Sequence, residues 1–200
     1  ESGDTVLVYQ GIYYENIDYN QKNIVVGSRF IINQDSSFIS STIIDGNGNG
    51  RAVRFNGNYS PSTELNGFTI QGGETMYGGG IYCKGTPDFS ASPTLINLKV
   101  KNNSSQYGGG IYVTTSAHPS IISTVIDSNI AAKEGGGIFC NSESSINIID
   151  VIISNNSALA VNVSNPKEFP SIVNTSNEPI FGKVDTNLVD TNKVGSLYMS

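Results

Sequence analysis

Three times in this 200-residue chain a glycine triplet is followed by an isoleucine and an aromatic residue. The copies are Gly78-Gly79-Gly80-Ile81-Tyr82-Cys83, Gly108-Gly109-Gly110-Ile111-Tyr112-Val113 and Gly135-Gly136-Gly137-Ile138-Phe139-Cys140, at offsets of 30 and 27 residues. A second element precedes the triplets: Thr42-Ile43-Ile44-Asp45-Gly46-Asn47 returns as Thr124-Val125-Ile126-Asp127-Ser128-Asn129 and as Val151-Ile152-Ile153-Ser154-Asn155-Asn156. Looser copies end at Gly73 and Asn103, which makes the steps 26, 30, 26 and 27. A third column, five residues before the last apolar residue of that element, reads Ile39, Leu65, Leu95, Ile121 and Ile148. Short apolar stretches recurring at this period, separated by Gly, Asn, Ser and Pro, fit one coil of a parallel β-solenoid with three strands per coil. Helical repeats of similar period need longer stretches with 3.6-residue periodicity, and none is visible.

Composition agrees. There are 24 Ile and 15 Val against 7 Leu and 7 Ala, and β-branched residues suit strands while Ala and Leu suit helices. The polar part is mostly neutral, with 23 Asn, 26 Ser and 22 Gly, and only 14% of residues are charged. A net charge of −6 argues against a nucleic-acid partner, which needs clustered Lys and Arg to neutralise phosphates. No run of apolar residues is long enough to span a bilayer as a helix, so membrane insertion is not expected.

Stacking the repeats assigns faces, because alternate residues of a strand point to opposite sides. Val53, Ile81, Ile111, Ile138 and Val161 form one inward column, and Phe55, Cys83, Val113, Cys140 and Val163 form another. Cys83 and Cys140 then lie two coils apart, about 9–10 Å at the usual strand spacing, too far for a disulfide. They are expected to be free and buried.

The Ile-x-x-Asn element followed by Gly-Gly-Gly-Ile resembles the repeats of secreted bacterial parallel β-helix proteins, including polymorphic outer-membrane adhesins and the wider pectate-lyase-like superfamily. The similarity is closest over Ile126 to Ile138, and the segment Gly3 to Ile17 resembles the first coil of such proteins. The resemblance implies a right-handed parallel β-helix and an extracellular or cell-surface location. Members usually carry a capping helix before the first coil. Here that strand begins within a few residues of Glu1 and no initiator Met precedes it, so a processed or excised form is expected. Uncapped solenoid ends would invite another chain to stack on them.

The outward column Arg54, Tyr82, Tyr112, Phe139 is the candidate ligand- or partner-binding ladder, since stacked rings on a rigid face can contact sugars or a protein. Stacked aromatics can equally serve only to stabilise the sheet. A second outward column, Ile43, Thr69, Lys99, Val125, Ile152, is apolar at Ile43, Val125 and Ile152, which are the candidate lateral interface unless the longer loops cover them. Asp45-Gly46-Asn47-Gly48-Asn49-Gly50 imitates the first half of a calcium loop, but Asn56 stands where the bidentate acid should be; a glycine-rich turn is the better account and no metal is expected. Asn103, Asn129 and Asn156 recur at one turn and should form an amide ladder.

Catalysis finds little support. In the column Asp45, Gln71, Lys101, Asp127, Ser154 the two acids lie three coils apart, about 14 Å, beyond the separation glycosidases use. Lys99 and Lys101 have no acid cluster beside them. One histidine, His118, and two buried cysteines allow neither a Ser-His-Asp triad nor a zinc cluster.

The sequence therefore predicts a right-handed parallel β-helix of about six or seven coils over residues 1–182, with 183–200 as an irregular segment or connection. Its expected role is that of a non-catalytic extracellular structural or adhesive protein that stacks end to end on copies of itself. The alternative is a domain that binds or cleaves surface glycans through the aromatic ladder. No cofactor is expected.

Overall fold

The computed structural model describes residues 2–141 and 143–159, together with the backbone of a strand at Leu197–Met199. The chain winds as a parallel β-solenoid of about five turns, strands pairing in parallel with their equivalents in the adjacent coils. The first coil carries β1 (Thr5–Val8), β2 (Gly11–Tyr14) and β3 (Ile17–Asp18). The second carries β4 (Val25–Ser28), two short helices α1 (Phe30–Asn33) and α2 (Ser37–Ser41), then β5 (Thr42–Asp45) and β6 (Val53–Asn56).

From the third coil each turn has four strands rather than the three that the apolar columns predict. These are β7 (Glu64–Asn66), β8 (Thr69–Gln71), β9 (Glu74–Tyr77) and β10 (Ile81–Lys84). The next turn repeats them as β11 (Thr94–Ile96), β12 (Lys99–Lys101), β13 (Ser104–Tyr107) and β14 (Ile111–Thr114). Then follow β15 (Ser120–Ile122), β16 (Val125–Asp127), β17 (Ile130–Glu134) and β18 (Ile138–Cys140). The last turn holds β19 (Asn147–Ile149), β20 (Ile152–Ser154) and β21 (Ser157–Ala158), and β22 (Leu197–Met199) pairs with β18. The additional sheet, β9-β13-β17-β21, escapes the hydrophobic pattern because its strands share no repeated column of large apolar residues. The described residues make about five turns against the predicted six or seven, and the expected rungs at Val161 and beyond lie outside the described residues.

Registers confirm the stacking of the glycine-led strand. Ile81 pairs with Val53 and Ile111, and Ile111 with Ile138; Cys83 pairs with Phe55 and Val113, and Val113 with Cys140. All eight side chains are fully buried. So are Leu65, Leu95 and Ile121 on one sheet and Ile70, Val100 and Ile126 on another, each full burial contributing about 1.5–3 kcal/mol. Cys83 and Cys140 are free and buried, and burial pushes the Cys140 thiol up to about 11 and the Cys83 thiol higher still. One column was misassigned. Leu65 stacks on Val26, not Ile39, because the chain detours through α1 and α2 between β4 and β5 and carries Ile39 into α2.

Three corners of each coil turn on a single left-handed residue. At the first corner these are Gly67 (φ +83°), Asn97 (+54°), Ser123 (+46°) and Asp150 (+52°); at the second, Gly72, Asn102, Ser128 and Asn155; at the third, the leading glycines Gly78, Gly108 and Gly135. Short polar residues and glycine adopt this conformation at least cost, which accounts for their abundance between apolar stretches. The other triplet glycines answer a different need. A Cβ on Gly109 would lie 2.5 Å from both Gly136 O and Ile130 O, and one on Gly80 2.6 Å from Gly110 O. Successive triplets thus approach backbone to backbone, joined by bonds such as Gly80 N to Gly109 O (3.1 Å) and Gly110 N to Gly136 O (3.0 Å).

Inside the second corner the amide ladder forms. Asn103 Nδ2 donates to Asn129 Oδ1 and Asn129 Nδ2 to Asn156 Oδ1, both at 2.9 Å. The backbone N–H groups of Gly73, Asn103 and Asn129 each donate to the side-chain oxygen one coil on. Each Asn thereby satisfies buried donors that no strand partner reaches.

Two substitutions test these constraints by urea denaturation. Gly109→Ala is expected to cost about 1–3 kcal/mol by overpacking, or to prevent folding, whereas Gly11→Ala, whose Cβ meets only the Tyr13 ring at 3.6 Å or more, stays within about 0.5 kcal/mol of the parent. Asn129→Ala strips the acceptor from Asn103 N and Nδ2 and is expected to cost at least about 1–3 kcal/mol.

Candidate functional site

The ladder residues stand on the outer side of β6, β10, β14 and β18, in register: Arg54 beside Tyr82, Tyr82 beside Tyr112, Tyr112 beside Phe139. Alternation along the strands sets this face, since their inward neighbours fill the core. The rings of Tyr82 and Tyr112 are stacked with centroids 5.7 Å apart and planes 4° from parallel; Tyr112 and Phe139 are 5.1 Å apart, also at 4°.

The ladder is less open than its outward register implies. Tyr82, Tyr112 and Arg54 are half-buried, and Phe139 is only 7% exposed. Part of the cover comes from the fourth sheet, and β22 pairs alongside Phe139 on the side away from Tyr112. Tyr77, at the end of β9, leans on Tyr112 with centroids 5.1 Å apart, and Tyr107, at the end of β13, meets Phe139 edge-on at 5.7 Å. Tyr77 and Tyr107 also stack on each other at 5.6 Å and 13°. Each tyrosine before a triplet therefore packs over the aromatic residue after the triplet of the next coil. The signal was in plain view: Tyr-Gly-Gly-Gly-Ile-Tyr occurs identically at 77–82 and 107–112.

Cations flank this five-ring patch. The Arg51 guanidinium lies 4.1 Å above the centroid of Tyr82, and Lys133 Nζ lies 5.1 Å from that of Tyr107. Arg54 Nη1 is 3.3 Å from Asp18 Oδ2 on β3, an exposed pair of little energetic weight. Burial lowers the Arg51 pKa, reinforced by the like charge of Arg54 and opposed by Tyr82 and Asp18. Burial also raises the pKa of Tyr82, against the pull of Arg51 and Arg54, and that of Tyr112. The arrangement offers flat apolar rings, phenol hydroxyls and positive charge on one rigid face.

The candidate lateral column is broken. Ile43 and Val125 are half-buried and Ile152 is 57% exposed, but Thr69 between them is buried under α2, donating its hydroxyl to Ile39 O at 2.8 Å. Lys99 Nζ reaches Ser40 Oγ in the same helix at 2.7 Å. Three apolar residues on one column thus do not form one continuous surface.

Other candidates serve the fold. Asp45 accepts from Asn47 N with Oδ1 and from Gln71 Nε2 with Oδ2, so both oxygens are engaged within the turn. Burial works against ionisation of Asp127, but hydrogen bonds from Ser154, Ser128 and Asn155, with Lys101 nearby, outweigh it and hold the carboxyl below its ordinary range. His118 Nδ1 is 2.8 Å from Ser145 Oγ in the neighbouring loop. Among the described residues no three His, Cys, Asp or Glu side chains come together as a metal site, and no helix is long and apolar enough to cross a membrane.

Tyr82 and Tyr112, together with Tyr19 and Tyr59, whose burial also raises them, link stability to pH. Their neutral forms are favoured in the folded chain, so this contribution is complete below the unfolded value of about 10 and is lost as pH rises through the higher folded values. The urea midpoint is expected to fall above pH of about 10, and the Tyr82→Phe, Tyr112→Phe double variant to show a shallower fall. Equal slopes would mean that these two rings do not carry the effect.

Residues 123–141, which span β16, β17, the third glycine triplet and β18, match the Chlamydia polymorphic membrane protein repeat. No curated protein and no solved structure matches the chain. What the matched segment and the fold establish together is a parallel β-solenoid built from repeats, one of them of the polymorphic membrane protein type.

Proposed function

We propose that this chain is a non-catalytic, adhesin-like segment of a bacterial cell-surface protein, presenting its aromatic and cationic stripe to a partner. The observation that carries the reading is the polymorphic membrane protein repeat seated within a continuous solenoid. A parallel solenoid is a rigid rod whose outer columns repeat at a fixed spacing, which suits presentation of a surface better than chemistry at a point. The described acids at Asp45 and Asp127 are taken up by turn and ladder hydrogen bonds, in keeping with a binding rather than a catalytic role.

Glycans are the partner class favoured by the stripe. Tyr77, Tyr82 and Tyr112 remain partly accessible, and such rings pack against the C–H faces of sugars while hydroxyls and guanidinium groups bind their polar edges. Assembly of the chain with copies of itself is the competing partner, and light scattering separates the two.

Fluorescently labelled protein is expected to bind cultured epithelial cells saturably, and the Tyr82→Ala, Tyr112→Ala double variant to lose at least about tenfold in affinity, the loss of one to two good aromatic contacts. Circular dichroism checks that the variant is folded. Unchanged binding by a folded double variant would remove the stripe from the function. Absence of binding by the parent chain, with light scattering showing filaments, would replace adhesion with self-assembly.

A further inference from the structure

At the foot of the aromatic stripe, where the first three coils meet, lies an open groove of about 380 Å³ lined by Asn16, Ile17, Asp18, Arg51, Arg54 and Thr75. It concentrates positive charge on a chain whose net charge is −6. Asp18 is its one carboxylate and is already engaged: Oδ1 accepts from Asn20 N at 2.8 Å, and Oδ2 lies against Arg54. Arg51 has no carboxylate within ion-pair distance among the described residues, and Arg54 Nε is buried there without a hydrogen-bond partner. The Arg51 guanidinium carbon lies 4.1 Å from the Tyr82 ring centroid, and the Arg51 backbone is anchored separately, its carbonyl accepting from Asn16 Nδ2 at 2.6 Å. A half-buried guanidinium over an aromatic ring, beside a second cation and with no carboxylate partner among the described residues, is suited to a bidentate anion.

We infer that this groove is the subsite for a carboxylated sugar at the end of a glycan, with the carboxylate on Arg51 and Arg54 and the sugar ring against Ile17 and the edge of Tyr82. The inference rests on the glycan reading of the stripe and names the chemistry that reading leaves open. The groove lies at the small end of ligand sites, enough for one or two sugar rings. Asn16 and Thr75 line the groove beside the apolar Ile17, so it offers polar groups for ring hydroxyls and an apolar surface for the C–H face of a sugar. The position is continuous with the ladder, so a longer glycan bound by its acidic end would run on over Tyr82 toward Tyr112.

Saturation-transfer NMR on the 200-residue chain tests this with three probes: glucuronic acid, glucose and acetate. Glucuronate is expected to receive saturation and to bind at least tenfold more tightly than glucose or acetate. In Arg51→Gln and in Arg54→Gln, glucuronate should fall to the level of glucose. Acetate binding as tightly as glucuronate would overturn the sugar part of the inference, and variants that leave glucuronate binding unchanged would overturn the arginine part. Equal binding of glucose and glucuronate, both lost in Tyr82→Ala, would overturn the acidic subsite while leaving glycan binding by the stripe intact. No transfer to either sugar would overturn both. The probe comparisons use the unaltered chain, so they decide the matter even where an arginine variant fails to fold.

Discussion

Every feature of this molecule answers to one constraint: successive coils must lie in register, close enough for their backbones to hydrogen-bond along the whole length. Each strand is short, three to five residues from the third coil through β20, and so makes few bonds by itself. Stability comes from repetition of the same pairing. A residue at any position therefore has its neighbours chosen for it, above and below, by its counterparts in the adjacent coils. Inward positions become unbroken apolar columns, the second corner becomes a chain of amides, and the third corner becomes glycine because adjacent backbones meet there. Low charge follows as well, since a charged column would set like charges about 4.8 Å apart.

This constraint explains which parts of the fold are legible in the sequence. Columns that face the core announce themselves: Ile81, Ile111 and Ile138, or Leu65, Leu95 and Ile121, repeat with their flanking turns and could be stacked by inspection. The fourth sheet does not, because Glu74–Tyr77 and Ser104–Tyr107 carry no apolar alternation; they pair through their backbones and present mostly polar side chains. Ile39 misleads for the opposite reason. It is apolar and nearly in step, but α2 uses it to cover the flank while Val26 holds the column.

The aromatic stripe was half legible. Register alone places Tyr82, Tyr112 and Phe139 in a row, and they are in a row. What register within one sheet cannot reveal is the approach of a second sheet across the glycine corner, which brings Tyr77 and Tyr107 onto that row. The sharp turn of the triplet makes this approach possible, so the glycines that close the core also assemble the surface patch. Arg51 and Lys133 escaped notice because neither belongs to a repeating column; each reaches its ring from outside the ladder.

The detour through α1 and α2 bears on how such a chain can diversify. It leaves at the end of β4 and rejoins at β5, and the strands on both sides keep their register with the coils before and after: Val26 with Val6 and Leu65, Ile44 with Tyr13 and Ile70. The corner thus behaves as a splice point, where a segment is lodged without disturbing strand register, although α2 is tied to the rod through Ile39 O and Ser40 Oγ. What this flank displays can therefore change with the lodged segment, while the stacked columns need only remain apolar, as Phe55, Cys83, Val113 and Cys140 do in one column, to keep the scaffold constant.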